Sequence, residues 1–531
     1  MIGEIIDKAA AALSPAWGAK RVHARRVYDQ IAQRSYDAAI KDRRTAHWRT
    51  ANQSADLSLL SNADIVRARV RDLVRNNAYA AGILRTIVRN VVGPGIKPQA
   101  MVLKGSIRRP DEPDDKFNKA AELLWNRWQK RADVTGRMSF YEIQRLALRE
   151  VHEAGEILVH FVRSEDRSRP LPFALELIEA DRLADDTLFS RSLNVDTGNE
   201  VRRGIEINAA GEPVAYWIYP KHPNDINTFA TKPVRMDAGE FLHLFKSDRV
   251  GQTRGISTFA PIVRWLKDLH FYLENELQSS AVASCFSVAI KTVDGGAGGG
   301  LNDSIDADST DTDGNQFEYL QPGMVARLLP EEEIEVINPT RQNSSSEAWI
   351  NLMIRSMAVG VGLSFERLSR DYSKTNFSSN RASDLEDRRE FRPEQDWLIT
   401  HLCEPVWNRF IVSAVLHGAD GFPGEFSLLE NFEKWTAASW QPPGWEWVDP
   451  QKEAKASEIA LGSCLTTLKD ELGKRGKDLR ETLEQKAREK KMMDELGLLP
   501  SESDPKSGNQ ETDSISRIEE SVDSILETVG A

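Results

Sequence analysis

Cysteine is scarce in this sequence: three in 531 residues, Cys285, Cys403 and Cys464, far apart along the chain. With no CxxC and no Cys/His cluster, neither a disulfide framework nor a zinc site is indicated, and a reducing site of synthesis fits. Long hydrophobic runs are also missing. No stretch of 18 or more apolar residues occurs, so no membrane span is expected. The Ala9–Leu13 patch is too short to read as a signal peptide. Excess positive charge is absent too. The net charge of −12 argues against a surface that binds nucleic acid all over.

The motifs of catalysis are equally thin. There is no GxxxxGK[ST] phosphate loop and no HExxH. Gly93-Pro-Gly95 and Gly360-Val-Gly362 read as turn or packing glycines. His243 sits on an alternating stretch and reads as a structural histidine. Five Asp fall within Asp303–Asp313. Placing Ser309, Asp311, Asp313 and Gly314 at positions one, three, five and six of an EF-hand loop leaves Leu320 where a bidentate Glu is needed. A solvated acidic loop is the better reading. No active site, metal site or cofactor site is evident.

What is present is helical periodicity around a core of ordinary composition, 40% hydrophobic and 28% charged. Ser257–Ser284 reads as one long helix with Phe259, Ile262, Leu266, Leu269, Leu273 and Leu277 on a single stripe. A second striped helix covers Ser345–Val361, with Ile350, Ile354 and Met357. Between them lies a Gly- and Asp-rich excursion, and after them a polar loop, Arg370–Arg381. The stripes need a surface, and neighbouring copies of the same hairpin can supply it.

Upstream, residues 1–60 read as a polar arm with aromatic anchors at Trp17, Tyr28, Tyr36 and Trp48. Asp64–Val92, Asp114–Arg131 and Ser139–His152 read as helices. The pattern then switches to period two over 156–163 and 173–178, in a hairpin over 204–219, and over 240–246. Grouped strands joined by short turns imply an α+β fold with antiparallel pairing. Downstream, Ser383–His417 reads as helix interrupted at Pro393 and Pro405. A Trp-rich loop follows (Trp435, Trp440, Trp445, Trp447). Leu461, Leu465, Leu468 and Leu472 then place a helical module from Asp449, before an acidic tail.

Several stretches resemble the portal proteins of lambda-type tailed phages. They are Asn76-Asn77-Ala78-Tyr79-Ala80 through Val91-Val92-Gly93-Pro94-Gly95, Gly155-Glu156, Leu177–Leu183, Gly204-Ile205-Glu206 before Tyr216-Trp217, the run from His243 to Ser257, Phe377–Ala382, and Trp447-Val448-Asp449-Pro450. Their order over Asn62–Leu499 carries the resemblance. It implies a mainly helical portal fold: an arm (1–60), a wing (61–256), a first stem helix (257–285), a clip (286–341), a second stem helix (342–368), a channel loop (369–382), the wing's long helix with the Trp-rich connection (383–448), a crown (449–499) and a flexible tail (500–531).

The resemblance further implies a dodecameric ring at one vertex of the virion capsid, made in the host bacterial cytoplasm. Its expected partners are double-stranded DNA, the large terminase subunit, major capsid and scaffold proteins, and head-tail connector proteins. It implies no enzymatic activity, since the force comes from the terminase ATPase. Lys374, Asn376, Ser378 and Arg381 are then candidates for DNA contact, unless Arg381 pairs with Asp384 or Glu386. Asp306, Asp308, Asp311, Asp313, Glu331 and Glu332 are candidates for facing terminase. DNA carries one phosphate charge per ~1.7 Å of axis, and a chain at −12, repeated around a ring, repels it on balance. The competing expectations are a metal-dependent nuclease and a monomeric helical scaffold.

Overall fold

A computed structural model describes residues 52–59, 62–105, 112–184, 191–194, 196–225, 232–285, 289–292, 332–335, 346–445, 450–473, 475–477 and 479–496, with a few positions between 14 and 43. Residues 1–58 form a unit of their own. In it Trp17 is half exposed, with Arg21 over its ring at 5.7 Å, so this expected anchor is not buried there. Tyr28, Tyr36 and Trp48 lie outside the described residues.

The second unit begins with two helices where one was expected, α1 (Ala63–Asn76) and α2 (Ala78–Val91). Asn77 is the reason for the break. Its backbone is extended, and its side chain accepts from the Tyr79 and Ala80 N–H groups, which competes with continuing the helix. Strand β1 (Lys97–Ala100) leads to α3 (Asp115–Trp128), capped by Asp114, and α4 (Phe140–Glu153), which opens with a Ser139/Glu142 capping box.

The strands β2 (Glu156–Val162), β3 (Ala174–Glu179) and β9 (Phe241–Phe245) form an antiparallel sheet in the order β3-β2-β9. Between β3 and β9 runs a five-stranded antiparallel sheet: β4 (Arg191–Leu193), β5 (Glu200–Arg202), β6 (Ile205–Ile207), β7 (Pro213–Ile218) and β8 (Val234–Asp237). The fold is α+β and mainly helical, as expected.

Helix α5 starts later than expected and spans Val263–Cys285, which is ~34 Å. Residues 257–262 are instead a series of turns, with Ala260 N–H bonded to Ser257 C=O and Ile262 N–H to Phe259 C=O. Pro261 can donate no backbone bond there. The chain then forms β10 (Ala289–Thr292) and β11 (Glu332–Glu335), which pair antiparallel and bring the two ends of the excursion together.

Helix α6 (Ser346–Val361) and the short α7 (Phe365–Ser369) follow. Helix α8 (Phe377–Leu398) carries Pro393 inside it and passes through a π-helical turn, Ile399–Cys403, into α9 (Glu404–Leu416), which has Pro405 in its first turn. Two short helices and β12 (Ala438–Gln441) come next. β12 pairs with β1, a long-range ladder no local pattern announced.

The two short helices are α10 (Glu425–Glu430) and α11 (Phe432–Trp435), and the last helices are α12 (Pro450–Gly462), α13 (Leu468–Gly473) and α14 (Leu479–Glu495). The expected Leu461–Leu472 stripe is broken. Cys464 is left-handed, Leu465 is exposed, and Thr467 accepts from Asp470 N–H to start a new helix.

Aromatic rings join α3 and α4 to α9 in the core. Trp125 lies 5.0–5.3 Å from Phe140, Trp407 and Phe410, and Trp128 stacks on Phe173 at 5.2 Å while donating to its carbonyl. Each buried ring of this size removes 150–250 Å² from water, roughly 4–6 kcal/mol before entropy.

Candidate channel site

The site begins with the way helix α5 is anchored. At the end of α4 the backbone turns through Gly155 at φ +98°, and residues 254–256 cross it in contact. A Cβ on Gly255 would lie 2.1 Å from the Gly155 carbonyl oxygen, and one on Gly155 would lie 2.6 Å from Ile256 backbone. Both positions therefore need glycine.

The next residue, Glu156, is fully buried. It accepts from Arg254 Nε at 2.7 Å, Arg67 Nη2 at 3.2 Å and the Gly255 N–H at 3.0 Å. His243 Nε2 lies 3.0 Å away. Burial pushes its carboxyl up, but Arg254 and His243 outweigh that and hold it well below the carboxylate range. Thus His243 is structural, and the Gly155-Glu156 and Arg254-Gly255 stretches form one joint ahead of α5.

A second cluster braces the same joint. Ser257 Oγ donates to the His152 carbonyl at 2.8 Å. Buried His152 faces Glu394 at 3.4 Å, and Glu394 also pairs with Lys246. Burial raises the Glu394 carboxyl, but His152 and Lys246 together bring it down to about 2.

Beyond this base the α5 stripe divides. Phe259, Ile262, Leu266 and Leu269 are buried within the chain, with Ile354 and Met357 of α6 in the same core and Ile350 packed on its edge. Gly360 allows the close approach, since a Cβ there would meet Ile262 Cγ2 at 2.5 Å. The stripe's base therefore does not wait for a neighbouring copy. Its outer part is different: Leu273 is 37% exposed and Leu277 73%. On α6, Trp349, Leu352 and Val359 are 49%, 52% and 82% exposed.

The polar loop is shorter than expected, because α8 begins at Phe377 and takes Ser378 and Arg381 into its first turns. Asn376 is the cap, accepting from Ser379 N–H at 2.8 Å, so its side chain is occupied. Lys374 remains in the loop and donates to Glu347 on α6 at 2.6 Å, an exposed pair that raises the ammonium's pKa and lowers the carboxyl's. Arg381 faces Glu453 of α12 at 3.7 Å rather than Asp384 or Glu386. Those two carboxylates pair with Arg367 and Arg389. Asp306, Asp308, Asp311, Asp313 and Glu331 lie outside the described residues, and of Glu332 only its place in β11 is described.

Among the described residues, one group of three possible metal ligands converges within 4.8 Å: Glu179, Asp181 and His222. Asp181 is already paired with Arg71 at 2.8 Å and Arg67 at 3.5 Å. These cations compete with any metal, and the group reads as part of the charge network beside Glu156.

Residues 41–395 match the family model described as phage portal protein, lambda family. The chain belongs to that family. Related portal proteins align along most of its length. The probable portal protein of Halomonas phage phiHAP-1 is 28% identical over 477 residues, covering 88% of each chain. The portal protein of Escherichia phage N15 is 24% identical, covering 85% of this chain and 89% of that one. Portal protein B of Escherichia phage lambda is 23% identical, covering 85% and 88%. These descriptions name a structural component and no enzymatic activity.

Two solved structures also align with this portal chain. The neck of a native gene transfer agent particle, computed with C12 symmetry, is 12% identical over 76% of this chain and 92% of that one, with a TM-score of 0.39. The virion of the native particle is 11% identical over 80% and 93%, with a TM-score of 0.40.

Proposed function

We propose that copies of this chain close into a ring, a dodecamer at one capsid vertex, through which double-stranded DNA enters during packaging and leaves during ejection. The observation that carries this reading is the divided stripe. Leu273 and Leu277 on α5 and Trp349, Leu352 and Val359 on α6 are large apolar side chains exposed on two helices of the same hairpin. Contiguous exposed apolar surface marks an interface. Two different faces that pack head-to-tail give a heterologous contact, which generates a ring when the rotation closes.

In that ring the 370–376 loop, together with the first turn of α8, faces the channel. Its cations are sparse and paired, Lys374 with Glu347 and Arg381 with Glu453. Each exchanges its carboxylate for a passing phosphate and back, so DNA slides instead of being gripped. The excursion closed at its base by β10 and β11 is the clip, which meets the large terminase subunit and then the head-tail connector through Asp306, Asp308, Asp311, Asp313, Glu331 and Glu332. Capsid and scaffold proteins surround the ring in the virion, and the chain is made in the host bacterial cytoplasm. Hydrolysis belongs to the terminase. The test is packaging by phage carrying Lys374→Ala with Arg381→Ala. Rings of normal mass with altered DNA packaging or retention support the channel assignment, and unaltered packaging removes these residues from it.

A further inference from the structure

We infer that a second DNA site lies beside the channel loop, in a cleft of about 1450 Å³ between α2, α4, α7 and the middle of α8. Eight arginines and a single carboxylate, Glu142, line it. On a chain of net charge −12 this is a local reversal of sign. The inference rests on the portal reading, and adds a contact with the phosphodiester backbone to the one proposed for the loop.

Four observations point to a polyanion. First, the cations come in pairs on neighbouring helices. Arg85 and Arg89 are four apart on α2, Arg145 and Arg149 four apart on α4, and the two helices pack together. Arg149 is offset by Glu153 at 3.0 Å and Arg145 donates to the Gly93 carbonyl, but Arg85 and Arg89 have no such partner among the described residues, and like charges at that spacing destabilise a helix unless an anion offsets them. Second, Arg75, Arg85 and Arg89 are exposed, and among the described residues they have no hydrogen-bond or ion-pair partner. Arg75 and Arg89 lie in the last turns of their helices, where the helix dipole favours a cation, but Arg85 does not.

Third, Arg370 caps α7 in the left-handed conformation at φ +60°, a position that favours glycine, and its guanidinium reaches Thr86 at the cleft wall. Fourth, Arg370 and Tyr372 join the cleft to the loop that carries Lys374, so a polymer passing the loop also meets the cleft. Every lining cation is arginine, whose planar fork takes two phosphate oxygens at once.

The test uses full-length chain purified as rings, with short labelled duplex DNA as the probe. Fluorescence anisotropy is read across a salt series, and molar mass by light scattering. The variant Arg75→Ala/Arg85→Ala/Arg89→Ala removes only exposed side chains. The expected result is unchanged ring mass, DNA affinity lower by about tenfold or more, and a slope of log K against log salt shallower by roughly 2–3. The corresponding Arg→Lys triple should keep most of the slope and lose part of the affinity.

Rings of normal mass whose affinity and slope match the parent would overturn the site. So would a triple variant that no longer forms rings, since the cleft would then hold carboxylates of a neighbouring copy. A difference between parent and variant that appears only after deletion of residues 497–531 would assign the cleft to the acidic tail in the intact chain and also overturn it. If the parent forms no ring at all, the portal assembly fails, and the same titration still reads the cleft in the single chain.

Discussion

The base and the outer part of α5 carry the same residue on the same stripe and meet opposite surroundings. Leu266 and Leu269 are fully buried, one or two turns above the Glu156 joint, whereas Leu273 and Leu277 are exposed in the single chain. The difference lies in what stands opposite. The base has α1, the turn before the helix and the end of α6 packed on it. A hydrophobic period thus states which side chains share a face, and is silent on whether the covering surface comes from the same chain or another.

The largest expected effect lies in the joint. Glu156→Gln leaves Arg254 buried without its anion and removes one of the carboxylates that meet Arg67, and should cost roughly 3–5 kcal/mol. Chemical denaturation of the purified variant checks it, and a cost no greater than that of a surface substitution would mean that the joint does not hold the base. Next is the leucine pair. Leu269→Ala should lose roughly 2–5 kcal/mol. Leu277→Ala should lose less than about 0.5 kcal/mol in the isolated chain while weakening self-association. Equal losses of stability from the two would erase the distinction between base and outer stem.

A smaller effect concerns pH. The Glu394 carboxyl is depressed from its ordinary 4.5 to about 2 in the folded chain. A depressed acid contributes stability that is complete above its unfolded pKa and is lost as pH falls through the folded value. Stability on the order of 2 kcal/mol should therefore disappear between about pH 4.5 and 2. The Glu394→Gln variant should lack that portion of the acid dependence when unfolding is followed against pH. The smallest effect on stability belongs to the loop: Lys374→Ala with Arg381→Ala should shift the thermal midpoint by less than about 2 °C. A larger fall would make these pairs part of the scaffold.

Much of the fold was legible in the residues. The helices over Phe140–Glu153 and Ser346–Val361 and the alternating strands of the β3-β2-β9 sheet follow from period and caps. The failures are local competitions that a period does not register. Asn77 and Thr467 break helices because their side chains satisfy backbone donors, and Asn376 starts α8 early for the same reason. The β1–β12 ladder joins residues more than 300 positions apart, and no local signal encodes that pairing.

The candidate site was legible as a loop and two stripes, but not in its chemistry. The partners Glu347 and Glu453 lie 27 and 72 positions from the lysine and arginine they meet. The Glu156 joint was visible only as separate Gly155-Glu156 and Arg254-Gly255 stretches. The arginine cleft draws its lining from five segments, each unremarkable alone.

The most direct test of ring closure through the outer stem is the molar mass of Leu273→Asp/Leu277→Asp chain by size exclusion with light scattering, set beside the parent at the same concentration. The expected result is a ring of ten or more subunits for the parent and single chains that remain folded for the variant. A parent that stays single at high concentration, or a variant that assembles as the parent does, would contradict it.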